Sequence, residues 1–116
     1  MVNLISYYVT ISGDNFDIGN YLQTALFSEQ IKVDIGNKIL LLSLLETDER
    51  SVYGQDILME TLKNQHEAMH TYGGSEIVFY YAFEYIDQCN VEFEPEHLKL
   101  ISKIGGCLAV SCYKSE

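Results

Sequence analysis

The string His66-Glu67-Ala68-Met69-His70 holds the residue types of a zinc hydrolase: two imidazoles four positions apart and a carboxylate between them. On a helix, residues four apart share a face, so two histidines can hold one metal while the glutamate between them acts as general base. Gly73 and Glu76 stand where one class of such enzymes places a glycine turn and a third ligand. A site of this kind would bind zinc through His66, His70 and Glu76, with Glu67 as base. That class uses histidine, occasionally aspartate, as third ligand, and follows the site with a methionine turn. Here the third position is a glutamate and no Met follows Met69.

The element that must carry this string is a long helix running from Tyr53 to Gly74. Leu58, Leu62, Gln65, Met69 and Tyr72 recur in steps of four and three residues, a single stripe on a wheel of about 100° per residue. Measured from Leu58, the stripe stays within about 60°, while His66 and His70 fall near 80° and 120° and Glu67 near 180°. The histidines are therefore expected on the flank of the helix and the glutamate in solvent, away from any sheet that could form a cleft. Two partly exposed histidines on an acidic helix are the favoured reading. No G-x-S-x-G, P-loop or dinucleotide fingerprint accompanies them.

The flanking segments read as alternating strands and helices. Ile5, Tyr7, Val9 and Ile11 alternate with Ser6, Tyr8, Thr10 and Ser12, the period of a half-buried strand. A Ser12-Gly13-Asp14-Asn15 turn follows, and Asp17 can cap a helix with Ile18, Leu22, Ala25 and Leu26 on its apolar side. Ile31 to Ile35 and Lys38 to Leu45 form a hairpin around Gly36-Asn37, the second run apolar on both faces as in a strand covered on both sides. Gly73-Gly74 stops the long helix, and Ile77 to Ile86 is rich in aromatic and β-branched residues. Pro95 suits the first turn of a last helix with Leu98, Ile101 and Ile104 inward and Phe93 stapled to Leu98. Gly105-Gly106 end that helix before a strand from Cys107 to Tyr113. The order βαββαβαβ predicts one α+β domain over residues 1–116: a mostly antiparallel sheet of about five strands with helices on one face.

Composition narrows the function classes. With 116 residues, 47% of them hydrophobic, the chain suffices for one modest core. No window approaches the ~20 apolar residues of a membrane span. The start of the chain lacks a basic stretch and cleavage site, so a cytoplasmic location is expected. Cys89, Cys107 and Cys112 make an odd set without C-x-x-C spacing, which indicates neither a disulfide framework nor a zinc knuckle. Five positions apart in a strand, Cys107 and Cys112 point to opposite faces and are expected as core filler. The formal charge of -10 argues against nucleic acid or an anionic membrane as direct partner. Twelve of the seventeen acids lie between Glu46 and His97, accompanied there only by the bases Arg50 and Lys63.

The opening Tyr8 to Phe16 (YVTISGDNF) with Asp17, and the closing Phe93 to Tyr113, resemble a family of small bacterial proteins known as domain of unknown function 4279. Its members open with a strand, a G-D-x-F-D turn and a helix, and close with a helix, a glycine and a strand ending in tyrosine. The resemblance covers about a third of the chain, at its two ends. It implies a small α+β fold and carries no catalytic residue with it.

Together these features favour a non-enzymatic acidic domain that binds a basic protein, in the manner of immunity proteins that neutralise a basic toxin such as a nuclease. Charge would steer the encounter and tyrosines would anchor it. The candidate contact residues are Asp48, Glu49, Tyr53, Asp56, Glu60, Glu67, Tyr72, Tyr80, Glu84, Glu92 and Glu94. The alternative is the minimal zinc hydrolase, with zinc on His66, His70 and Glu76.

Overall fold

A computed structural model describes residues 2–44 and 52–115, with side chains from residue 57 onward in the second span. Eight elements follow in the expected order: β1 (Val2–Ser12), α1 (Ile18–Thr24), β2 (Ile31–Gly36), β3 (Ile39–Leu44), α2 (Val52–Thr71), β4 (Glu76–Tyr85), α3 (Pro95–Lys103) and β5 (Cys107–Lys114). The strands form one sheet in the order β2-β3-β1-β4-β5. All neighbours are antiparallel except β4 and β5, which run parallel because α3 returns the chain between them.

Register decides which side chains share a face. Val9 opposes Leu42 and Phe79, and Ile11 opposes Leu40 and Ile77. These residues are buried and join Tyr21, Leu58, Leu62, Met69 and Ile101 from the three helices in a single core. The helices thus cover one face of the sheet. β3 is correspondingly buried on one side only: Leu40, Leu42 and Leu44 are inside, Leu41 and Ser43 are half-buried, and Ile39 is 38% exposed. The expectation of a strand covered on both sides is corrected here, since among the described residues no helix packs on the other face.

Four further expectations change. A bulge between Leu4 and Ser6 shifts the alternation of β1, so Leu4 is buried while Ile5 turns outward and is 46% exposed. α1 ends at Thr24, which leaves Leu26 outside the helix and exposed; Tyr21, fully buried, takes the inward place instead. In α3 the buried positions are His97 and Ile101, with Leu98 exposed, and Phe93 lays its ring edge-on against Tyr81 at 5.0 Å. Phe93 thus packs on the rings of the sheet, and the inward stripe of α3 is rotated from Leu98 to His97. Cys107 and Cys112 also depart from the core role expected of them: β5 is an edge strand and both are exposed.

The two ends of α2 and α3 share one device. Gly74 N–H donates to the Met69 carbonyl at 2.8 Å and Gly73 N–H to that of His70 at 3.0 Å, the paired bonds that close a helix with a left-handed residue. Gly106 and Gly105 repeat them on Ile101 and Ser102 at 2.8 and 3.1 Å. Gly73 has φ of 96°, and a methyl group there would run into the Asn15 carbonyl. The turn after β1 is docked on this helix end, with Asp17 N–H donating to the Tyr72 carbonyl at 2.8 Å and the Phe16 ring buried. Asp17 in turn caps α1 by accepting from Asn20 N–H.

Candidate functional site

The H-E-x-x-H string lies on the flank of α2, as its wheel positions require. His66 is half-buried and its Nδ1 lies 3.1 Å from the Leu62 carbonyl oxygen and 3.2 Å from that of Lys63, so that nitrogen donates into the helix's own backbone. His70 and Glu67 are exposed. Glu76 starts β4, exposed, where its carboxylate accepts from the Ser12 hydroxyl at 3.5 Å. Among the described residues no three histidine, cysteine or acidic side chains converge as a metal would need. His66, His70 and Glu76 are therefore not brought together as a ligand set.

The acidic candidates are divided among several surfaces. Asp48 and Glu49 lie outside the described residues; Tyr53 and Asp56 fall within α2, their side chains outside the description. Glu60 and Glu94 line a groove of about 420 Å³ between α2 and α3. There Glu60, Glu94 and Glu96 are matched by Lys63, Lys99 and Lys103, so the groove carries no formal excess of either sign. Glu67 and Glu92 are exposed, and Tyr72 is half-buried with its ring 6.2 Å from that of Tyr21. Tyr80 and Glu84, two of the same set, stand on the opposite side of the molecule from these helices, on the uncovered face of the sheet.

Among the described residues, that face is laid out by the strand register. Tyr8 opposes Tyr80, Thr10 opposes Leu41 and Val78, and Ser6 opposes Ala82. The rings of Tyr8 and Tyr80 stack with centroids 4.9 Å apart and planes 15° from parallel. Directly behind them, on the core face, Tyr7 and Tyr81 stack at 4.6 Å. Two Tyr-Tyr dipeptides thus make two stacks, one on each side of the same strand pair. The inner pair is sealed from water, and burial pushes the Tyr81 hydroxyl's pKa up, offset in part by the neighbouring Tyr7 hydroxyl. The outer pair is half-buried.

Polar groups rim this aromatic centre. Glu76 and Glu84 come from β4, and Asp34 comes from β2, held 3.9 Å from Lys32 on the same face. Tyr113 of β5 aligns with Glu84 and is 56% exposed. The local excess of carboxylates carries the sign of the whole chain.

The contribution of Tyr8, Thr10, Leu41 and Val78 escapes a reading of acids and helices. Its signal was the alternation of β1, whose serine, tyrosine and threonine side reads as ordinary solvent-facing surface until paired with Tyr80. No family model matches the chain, nor does any curated protein or solved structure.

Proposed function

We propose that this protein is a non-enzymatic binding module that recognises a basic protein through the uncovered face of its sheet. The supporting observation is the Tyr8–Tyr80 stack, half-exposed at the centre of a face rimmed by Asp34, Glu76 and Glu84 in a chain of formal charge -10. Tyrosines bury large area at little conformational cost, so they supply affinity; the carboxylates accelerate encounter and select cationic partners. An immunity-type role, in which the module covers the active site of a basic toxin such as a nuclease, fits this chemistry.

The test is capture by the immobilised chain in low salt and in about 0.5 M salt, compared with Tyr80→Ala and with Glu76→Gln/Glu84→Gln. A cationic protein retained by the native chain, lost with Tyr80→Ala and released by salt supports the reading. Capture that ignores Tyr80 and ionic strength overturns it.

A further inference from the structure

The sheet ends in β2 on one side and β5 on the other, and the two edges differ. β2 carries Lys32 and Asp34, 3.9 Å apart, the kind of charge that keeps an edge strand from pairing with another chain. β5 has no such guard: from Cys107 to Tyr113 no residue is charged and none is proline, and its register with β4 runs unbroken from Val78 and Cys107 to Tyr85 and Lys114. Its helix side is also left uncovered. Leu108, Val110 and Cys112 align with Phe79, Tyr81 and Phe83 and share their face. The β4 residues are buried, whereas Leu108 is half-buried, Val110 is 45% exposed and Cys112 is exposed. α3 extends this apolar strip. Glu96, Lys99, Leu100 and Lys103 line the groove toward α2, and His97 and Ile101 are buried, which leaves Leu98, about 100° from His97, on the opposite flank. Because α2 packs on β1 and β3 and α3 on β5, that flank looks toward the outer edge, and Leu98 is 42% exposed there. Between Leu98 and Ser115 the charged residues are Lys99, Lys103 and Lys114, with no acid among them. Two copies of this acidic chain can therefore meet here without setting carboxylate against carboxylate, while a cationic partner finds nothing to attract it.

We infer that β5 is a homodimer interface: it pairs antiparallel with the β5 of a second copy about a two-fold axis at Val110, joining two sheets into one. In this register Val110 meets Val110 and Leu108 meets Cys112 on the helix side. On the open face Ala109 meets Ser111, and the small Cys107 meets the large Tyr113. Lys114 falls outside these pairs, opposite Gly106, so each position from Cys107 to Tyr113 finds an uncharged partner. The strand is thus complementary to itself, which is what a two-fold contact requires, and the assembly closes at two copies. Such an axis stands perpendicular to the sheet. It keeps the two helix sides together, with a Leu98 from each copy flanking the Val110 seam, and it sets the two open faces side by side. The outer edge of β5, without a strand partner among the described residues, becomes an interior pairing. The contact uses none of the residues of the proposed binding face and stands independently of that reading.

Sedimentation of the reduced full-length chain at about 10 and about 500 µM tests this, because association follows mass action. The expected result is twice the chain mass at the higher concentration. Val110→Lys sets like charges on the axis and should weaken association at least about 100-fold with an unchanged circular dichroism spectrum. Ile35→Lys, at the other edge, should associate as the native chain does. Hydrogen exchange on the native chain gives a second reading that needs no variant: β5 amides pointing away from β4 should exchange more slowly at the higher concentration. A native chain that stays monomeric, a dimer that survives Val110→Lys, equal weakening by Ile35→Lys, or β5 exchange that ignores concentration would overturn the inference.

Discussion

At Gly73 two independent constraints meet. Its φ of 96° belongs to the left-handed region, and the Asn15 carbonyl occupies the space of a side chain. Gly73→Ala should therefore destabilise the fold by about 2 kcal/mol or more, read from a denaturant curve, whereas Gly19→Ala, where a methyl group meets nothing, should cost no stability. Tyr21 offers a test by pH. Its buried hydroxyl donates to Gln65 Oε1 at 2.9 Å, and burial pushes its pKa well above the ordinary tyrosine value near 10. Because the folded state holds this proton longer than the unfolded chain does, the stabilisation is complete below about pH 10 and is lost as pH rises through the folded pKa. Alkaline unfolding curves should show this loss in the native chain and a smaller one in Tyr21→Phe; equal slopes would show that Tyr21 is not its source. Tyr21 also shows what residue-level reading misses: the helical stripe marks Ile18, Leu22, Ala25 and Leu26 as inward, and only the hydrogen bond to Gln65 of α2 accounts for a buried tyrosine there.

Among elements, α2 is the clearest case of a pattern that survives folding. Leu58, Leu62 and Met69 are fully buried, Gln65 is tied to Tyr21, and Glu67 is in solvent. Leu62→Ala should cost about 2–5 kcal/mol in unfolding experiments and Glu67→Ala less than about 0.5 kcal/mol. Comparable losses at both would mean that the helix packs by another face. The stripe was legible because a helix against a sheet repeats its contacts every turn, and both helix stops were legible because paired glycines are local chemistry. The bulge in β1 and the rotation of α3 were not. Each depends on a distant partner: β4 sets the register around Leu4 and Ser6, and the rings of Tyr81 and Phe83 draw in Phe93. The open face was half legible, since alternation marks its residues as polar and aromatic while only strand order places Tyr8 beside Tyr80. The parallel pairing of β5 does not follow from spacing along the chain.

For the molecule as a whole, charge is distributed in a way that the linear count does not convey. Acids clustered in sequence are divided by the fold between the two sides of the sheet, and those of the α2–α3 groove are matched by lysines. What remains uncompensated acts through the net charge of -10, which repels itself in the folded state and, on the proposed function, would attract a cationic partner. Added salt screens both effects, with opposite consequences. Raising sodium chloride from about 0.05 to 0.5 M shortens the screening length from more than 10 Å to about 4 Å, so the free chain should gain stability while a complex with the proposed cationic partner should lose affinity. The gain should appear as a higher denaturation midpoint, and the loss as slower association with little change in dissociation, because rim charges act mainly on encounter. Tyr80→Ala should behave in the reverse manner, leaving the salt dependence of association intact and accelerating dissociation. If salt lowered the stability of the free chain, self-repulsion would not be the dominant electrostatic term. If Tyr80→Ala altered only the association rate, the tyrosine stack would not be the anchor, and recognition would have to be assigned to another face.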